Sequence, residues 1–190
     1  MEKERAKKIV MIIGITGTLG AGKGAVVSYL VRTKGFTHYS ARSYFAVQME
    51  KQGITPINRD TMVEFANSLR EQNGPRHIFD TLYKEAEASG NPSVIESIRT
   101  VGEAEALKER GGVLLAIDAD EHMRYTRICG RGSTHDKVTF EEFQTQEARE
   151  MYSDDPNKQN ISAVMRMADV TIENNGTLGE LHASIEKVFQ

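Results

Sequence analysis

Ile9 to Ile15 reads IVMIIGI, an apolar run that no polar residue interrupts. A run without alternation predicts a strand covered on both faces, as in a parallel sheet beneath helices. A glycine-rich stretch follows. Ala25 to Arg32 then has the length and apolar spacing of a helix, with Gly35 as its stop. Phe36 to Ser40 predicts a second short strand. Ser43 to Gln52 predicts a helix that ends at Gly53. Thr61 to Gln72 predicts another, with Met62, Phe65, Ala66 and Leu69 on one side. Gly74-Pro75 breaks it, and Arg76 to Ser89 begins again as a helix. The turn signal Gly90-Asn91-Pro92 introduces a third strand, Ser93 to Ser97. Val101 to Arg110 is a predicted helix closed by Gly111-Gly112. The strand Val113 to Asp118 follows, then a last strand, Ala168 to Glu173, and a terminal helix, Leu178 to Val188.

Strands alternating with helices predict an α/β fold: a five-stranded parallel sheet with helices on both faces, in one domain. Gly130 to Asn160 is polar, charged and the least sheet-like section. It is the expected position of a small mobile lid.

Length and charge narrow the function classes. The chain has 190 residues and a formal net charge of −3. A net-acidic chain of this size is a poor binder of long polyanions such as nucleic acid, so basic residues must act locally. Cys129 is the single cysteine, which excludes an internal disulfide, a CxxC redox pair and a cysteine-rich zinc site. The apolar run near the start is far short of the roughly 20 residues of a membrane span. The expectation is a cytoplasmic protein without a membrane partner.

The strongest chemical signal lies directly after the first strand and before the first helix: Gly17-Thr18-Leu19-Gly20-Ala21-Gly22-Lys23-Gly24. It matches G-x-x-x-x-G-K, the phosphate-binding P-loop of NTPases. Glycines let the backbone curl so that successive N–H groups face an anion. The helix N-terminus adds about half a positive charge. Lys23 supplies a mobile cation for the β- and γ-phosphates of ATP. Gly24 and Ala25 then depart from the pattern, because a hydroxyl that helps to hold Mg²⁺ is usual after the lysine. A carboxylate elsewhere must contribute, and Glu96 at the end of the third strand is the first candidate. The other reading of Glu96 is a strand-end residue in solvent or paired with Arg99. Asp118 and Asp120 are further candidates.

A loop of the form G-x-x-G-x-G-K-G resembles the nucleoside monophosphate kinases, adenylate kinase in particular. Ala116-Ile117-Asp118 followed by Met123, Arg127, Ile128, Gly130 and Arg131 resembles the strand, helix and start of the lid in that enzyme. The resemblance implies that Arg127 covers the adenine and that Arg131 reaches the phosphates. Over nearly its whole length the chain resembles the dephospho-CoA-kinase-like, adenylate-kinase-related P-loop proteins. The supporting stretches are Glu96-Ser97-Ile98-Arg99 with Glu103, Phe140-Glu141-Glu142-Phe143, and Ala168-Asp169 with Asn174, Gly176, Thr177 and Leu178. Asn174 and Gly176 would then stand on the base side of the donor site. Two departures bear on the acceptor. Glu96-Ser97 replaces a frequent Asp-Gly. Tyr39-Ser40-Ala41-Arg42 lacks the acidic residue that dephospho-CoA kinases carry near the acceptor hydroxyl.

These residues lead to an expected function: ATP-dependent phosphoryl transfer to a small phosphorylated acceptor, a nucleoside or deoxynucleoside monophosphate. Dephospho-CoA kinase and a non-catalytic ATP-binding module are the alternatives. Lys23 and Arg131, with Arg127, would hold the donor. Arg42 and Arg99 would hold the acceptor phosphate, because both stand at carboxyl ends of strands, where open α/β sheets bind ligands. Residues 41–90 would form the acceptor-side helical region. Arg59, Arg70 and Arg76 are secondary candidates for lining it. His135-Asp136 reads as a loop pair, and the other histidines have no metal-ligand spacing.

Overall fold

The computed structural model describes residues 10–130 and 138–190. Its sheet has five parallel strands: β1 (Ile12–Gly17), β2 (Thr37–Ser40), β3 (Ser93–Glu96), β4 (Val113–Asp118) and β5 (Val170–Glu173). Their spatial order is β2-β3-β1-β4-β5, so β1 is central and all six of its residues are buried. This is the predicted α/β architecture. Each strand boundary shifts by up to three residues from the sequence reading.

The pleat divides the core in two. Ile12, Ile95 and Leu114 face one layer, while Ile13, Ile15, Leu115 and Ile117 face the other. The second layer is closed by α1 (Lys23–Lys34) and α9 (Leu178–Glu186), through Val26, Leu30, Leu181 and Ile185. The first is closed by α2 (Ala41–Lys51), α3 (Arg59–Asn73), α4 (His77–Ser89), α5 (Val101–Glu109) and α8 (Ile161–Arg166). Full burial of an Ile or Leu contributes about 1.5–3 kcal/mol each. Gly14 shows how close the layers come. A Cβ there would stand 2.4 Å from Leu107 Cδ2 of α5.

Much of the polar section read as a lid is helical. After α6 (Glu121–Cys129), α7 runs over Phe140–Met151 and begins with a capping box formed by Thr139 and Glu142. Phe143 is fully buried, which anchors α7 on the body of the protein. The capping-box spacing, Thr139 to Glu142, is present in the sequence, and the charges around it mark the exposed face of the helix. Part of the expected lid, residues 131–137, lies outside the described residues, and so does His135-Asp136. No helix among the described residues is long and apolar enough to cross a membrane.

Candidate functional site: a phosphate loop facing an arginine-lined cavity

All five strands point their carboxyl ends at one side of the sheet, and the segments that leave those ends build the site. After β1 the chain enters the glycine loop, with Gly17, Gly20 and Gly22 at φ of 131°, 80° and 99°. Side chains are excluded there by close neighbours as well as by dihedral strain. A Cβ at Gly17 would stand 2.0 Å from the Ile117 carbonyl oxygen, and one at Gly22 would stand 2.3 Å from Asn174 Nδ2. Gly24 differs, since nothing lies within 4 Å of a Cβ built on it. Its lack of a hydroxyl is therefore not imposed by packing. Lys23 folds back and donates to the carbonyls of Gly17 (2.8 Å) and Thr18 (2.6 Å).

The ends of β4 and β5 brace this loop. Thr18 donates its hydroxyl to Asp118 (2.6 Å), so that hydroxyl is already committed. Asp120 caps α6 by accepting from the backbone N–H groups of His122 and Met123. Its role is local, and the carboxylate candidates narrow to Glu96 and Asp118. Asn174 donates to the Ala21 carbonyl (2.8 Å), and its own carbonyl accepts from Arg127 (2.8 Å). The second terminal nitrogen of Arg127, Nη1, is buried without a hydrogen-bond partner. Arg124, also buried, donates to the carbonyls of Ala119 and Leu19 and pairs with Glu147 of α7.

After β2 and β3 come the groups expected on the acceptor side. Glu96 accepts from Ser40 (2.9 Å) and stands 3.4 Å from His38. Burial alone would push its carboxyl up. The hydrogen bonds from His38 and Ser40, with the charges of His38 and Lys23, outweigh burial and hold it below the usual carboxylate range. Ser97 has φ of 70°, in the left-handed region that favours glycine. Arg99 donates to Glu150 of α7 (2.5 Å) and to Gln159 (2.8 Å), and Arg59 pairs with the other oxygen of Glu150. Here too burial alone would raise the Glu150 carboxyl, and the Arg99 and Arg59 guanidiniums reverse it to a net lowering. Arg42 opens α2 with no ion-pair partner among the described residues.

These groups share one cavity of about 740 Å³. Gly20, Gly22, Lys23, Gly24 and Ala25 line one end, with Arg127, Asn174 and Gly176 beside them. Arg42, Arg59, Arg70 and Arg99 line the other, together with Phe45, Met62 and Val63 of α2 and α3. Arg76 is elsewhere, paired with Asp80 and Glu109. Arg131 lies outside the described residues. Glu150 and Gln159 were missed by the sequence reading, because both come from the section taken as a lid. Among the described residues no group of three or more His, Cys, Asp or Glu side chains could hold a metal ion unaided.

The glycine loop, strand order and cavity are those of a P-loop domain, and residues 13–152 match the AAA domain family. The chain belongs to that family. It is similar along its length to UPF0200 proteins of archaea. One from Pyrobaculum aerophilum is 27% identical, covering 95% of this chain and 98% of that protein. One from Pyrococcus horikoshii is 29% identical, covering 94% and 95%. Among solved structures, TT1252 from Thermus thermophilus superposes with a TM-score of 0.62 at 21% identity, covering 96% of this chain and 97% of the other. Shikimate kinase from Bacteroides thetaiotaomicron superposes with 0.60 at 14% identity, covering 94% and 96%. At such identities the shared property is the fold, which is kinase-like. The narrower likeness to adenylate kinase or dephospho-CoA kinase is not singled out by these matches.

Proposed function

We propose that the chain is an ATP-dependent phosphotransferase acting on a small phosphorylated acceptor, a nucleoside or deoxynucleoside monophosphate. The observation that supports this best is the single cavity with a phosphate loop at one end and Arg42, Arg59 and Arg99 at the other. Phosphoryl transfer needs two anionic groups brought into line and cations around the charge that spreads over the transferred group. The loop N–H groups and the N-terminus of α1 would cradle the donor phosphates. Lys23 would exchange its two carbonyl partners for phosphate oxygens. Arg127 and Asn174 would border the donor base, and Arg42 and Arg99 would grip the acceptor phosphate. Arg131 is proposed for the transferred group on resemblance alone.

Mg²⁺ fits this site as an ion carried in by the nucleotide. Such an ion needs only one or two protein carboxylates, the rest of its shell coming from phosphates and water. Glu96, kept ionised in the cavity wall, suits that place, and Thr18 does not, because its hydroxyl is given to Asp118. The ion would neutralise phosphate charge during transfer.

Glu96 also favours a second reading. A carboxylate in the cavity could take the proton from an acceptor hydroxyl, as a dephospho-CoA kinase requires. An ADP-coupled assay over a panel of monophosphates and dephospho-CoA decides between them. Transfer to a monophosphate is expected. Transfer to dephospho-CoA alone selects the second reading. ATP binding without transfer to any acceptor overturns both and leaves a nucleotide-binding module.

A further inference from the structure

Arg70 on α3 is the largest fully buried side chain in the protein's described part, 1% exposed, yet it belongs to the cavity wall. Its Nε and Nη2 both donate to Glu103 Oε1, at 3.2 and 3.0 Å. The other oxygen of Glu103 accepts from the backbone N–H groups of Arg99 and Thr100. Glu103 is therefore fully used, and the fork of Arg70 is held rigidly. Nη1 remains buried with no hydrogen-bond partner. An unspent donor on a buried cation is costly, so the wall gains when a ligand supplies an acceptor.

The chemistry of that acceptor can be narrowed. Glu103 already neutralises Arg70, so a second full negative charge is not called for. The same cavity wall carries apolar side chains: Phe45 from α2, with Ala66 and Met62 one and two turns before Arg70 on α3. The acceptor phosphate is already assigned to Arg42 and Arg99, which leaves this apolar stretch of wall to the rest of the ligand. A flat ring suits an aromatic and a thioether surface. What is missing is a neutral oxygen on that ring.

From this geometry we infer that the acceptor end selects a nucleobase with a carbonyl oxygen at purine C6 or pyrimidine C4, recognised by Arg70. This rests on the proposed monophosphate acceptor and deepens it. An exocyclic amine in the same place would set donor against donor. The preference should therefore run against adenine and cytosine, which carry an amine at those positions.

Two matched pairs test it. Inosine and adenosine monophosphates differ in carbonyl against amine on the purine ring, and uridine and cytidine monophosphates do so on the pyrimidine ring. Calorimetric titration of the full chain should show the carbonyl member of at least one pair bound about 10- to 100-fold more tightly, the scale of one charge-assisted hydrogen bond. Arg70→Lys keeps a cation for Glu103 but loses the fork, so the ratio should fall to near one. Far-ultraviolet dichroism of the variant guards against misfolding, and Arg70→Met with Glu103→Gln removes the pair together, with the same loss of ratio expected. Equal or tighter binding of the amino bases overturns the inference, as does an unchanged ratio in a folded variant. Failure of all four nucleotides to bind overturns the acceptor reading itself.

Discussion

Replacing Glu150 by Gln isolates the ion pairs that hold α7 over the acceptor end. The two carboxylate oxygens of Glu150 each serve one guanidinium, Arg59 and Arg99. The Glu150 side chain is 8% exposed, while those of Arg99 and Arg59 are 25% and 32% exposed. A charge-assisted hydrogen bond in such a setting contributes about 1.5–3 kcal/mol. Glutamine keeps the shape and one acceptor oxygen, so one bond survives in weaker form. The two guanidiniums retain water and escape the full penalty of about 3–5 kcal/mol for a stranded buried charge. The expected loss is about 2 kcal/mol, or roughly 4–8 °C in Tm for a domain of this size. Urea unfolding at neutral pH measures it. The pH dependence has a definite sign. The folded Glu150 carboxyl is lowered, so its contribution is complete above the ordinary carboxylate range and disappears as pH falls through the folded value. Wild type and variant should converge in acid. A neutral-pH difference below about 0.5 kcal/mol, or one that persists undiminished in acid, would refute this account of the pairs.

Lys23→Ala should lower transfer by about 10²- to 10³-fold in the ADP-coupled assay; near-normal transfer would remove the lysine from the mechanism. Gly24→Ser enters open space at the start of α1, so stability should hold or rise by up to about 0.5 kcal/mol. Its hydroxyl should also reduce the Mg²⁺ concentration needed for half-maximal activity, and a destabilisation above about 1 kcal/mol would contradict the free volume. Ser97→Gly relieves a left-handed backbone cost of about 1–2 kcal/mol and adds chain entropy of about 0.5–1 kcal/mol to the unfolded state, for a net gain near 0.5 kcal/mol by denaturant unfolding. A net loss would mean that the hydroxyl of Ser97 is needed where it stands.

The parallel sheet could be read from the sequence because its central strands β1 and β4 are apolar runs bounded by glycine-rich or helical segments, and the phosphate loop because its conformation admits few residues but glycine. The acceptor end was legible only in part. Arg42 and Arg99 follow strands, and position alone suggested them. Arg70 and Glu103 sit inside helices α3 and α5, where the sequence shows two ordinary charges that could as well face water. Only the tertiary arrangement buries them against each other. Glu150 fails for a related reason. Its neighbours Glu147 and Arg149 are charged too, and nothing local marks which of them turns inward. Asp120 was read as a further site carboxylate, and its bonds show it instead capping α6.

Helix α7 touches both ends of the cavity through different residues. Glu147 meets Arg124, which also grips the Leu19 carbonyl in the phosphate loop; Glu150, one turn on, meets Arg59 and Arg99. Any shift of α7 that one ligand favours thereby changes the work the other must do. Linkage then requires reciprocity: the factor by which donor nucleotide alters acceptor affinity must equal the factor by which acceptor alters donor affinity. A helix that the sequence presents as a charged surface segment is thus placed to make the two halves of one cavity thermodynamically aware of each other.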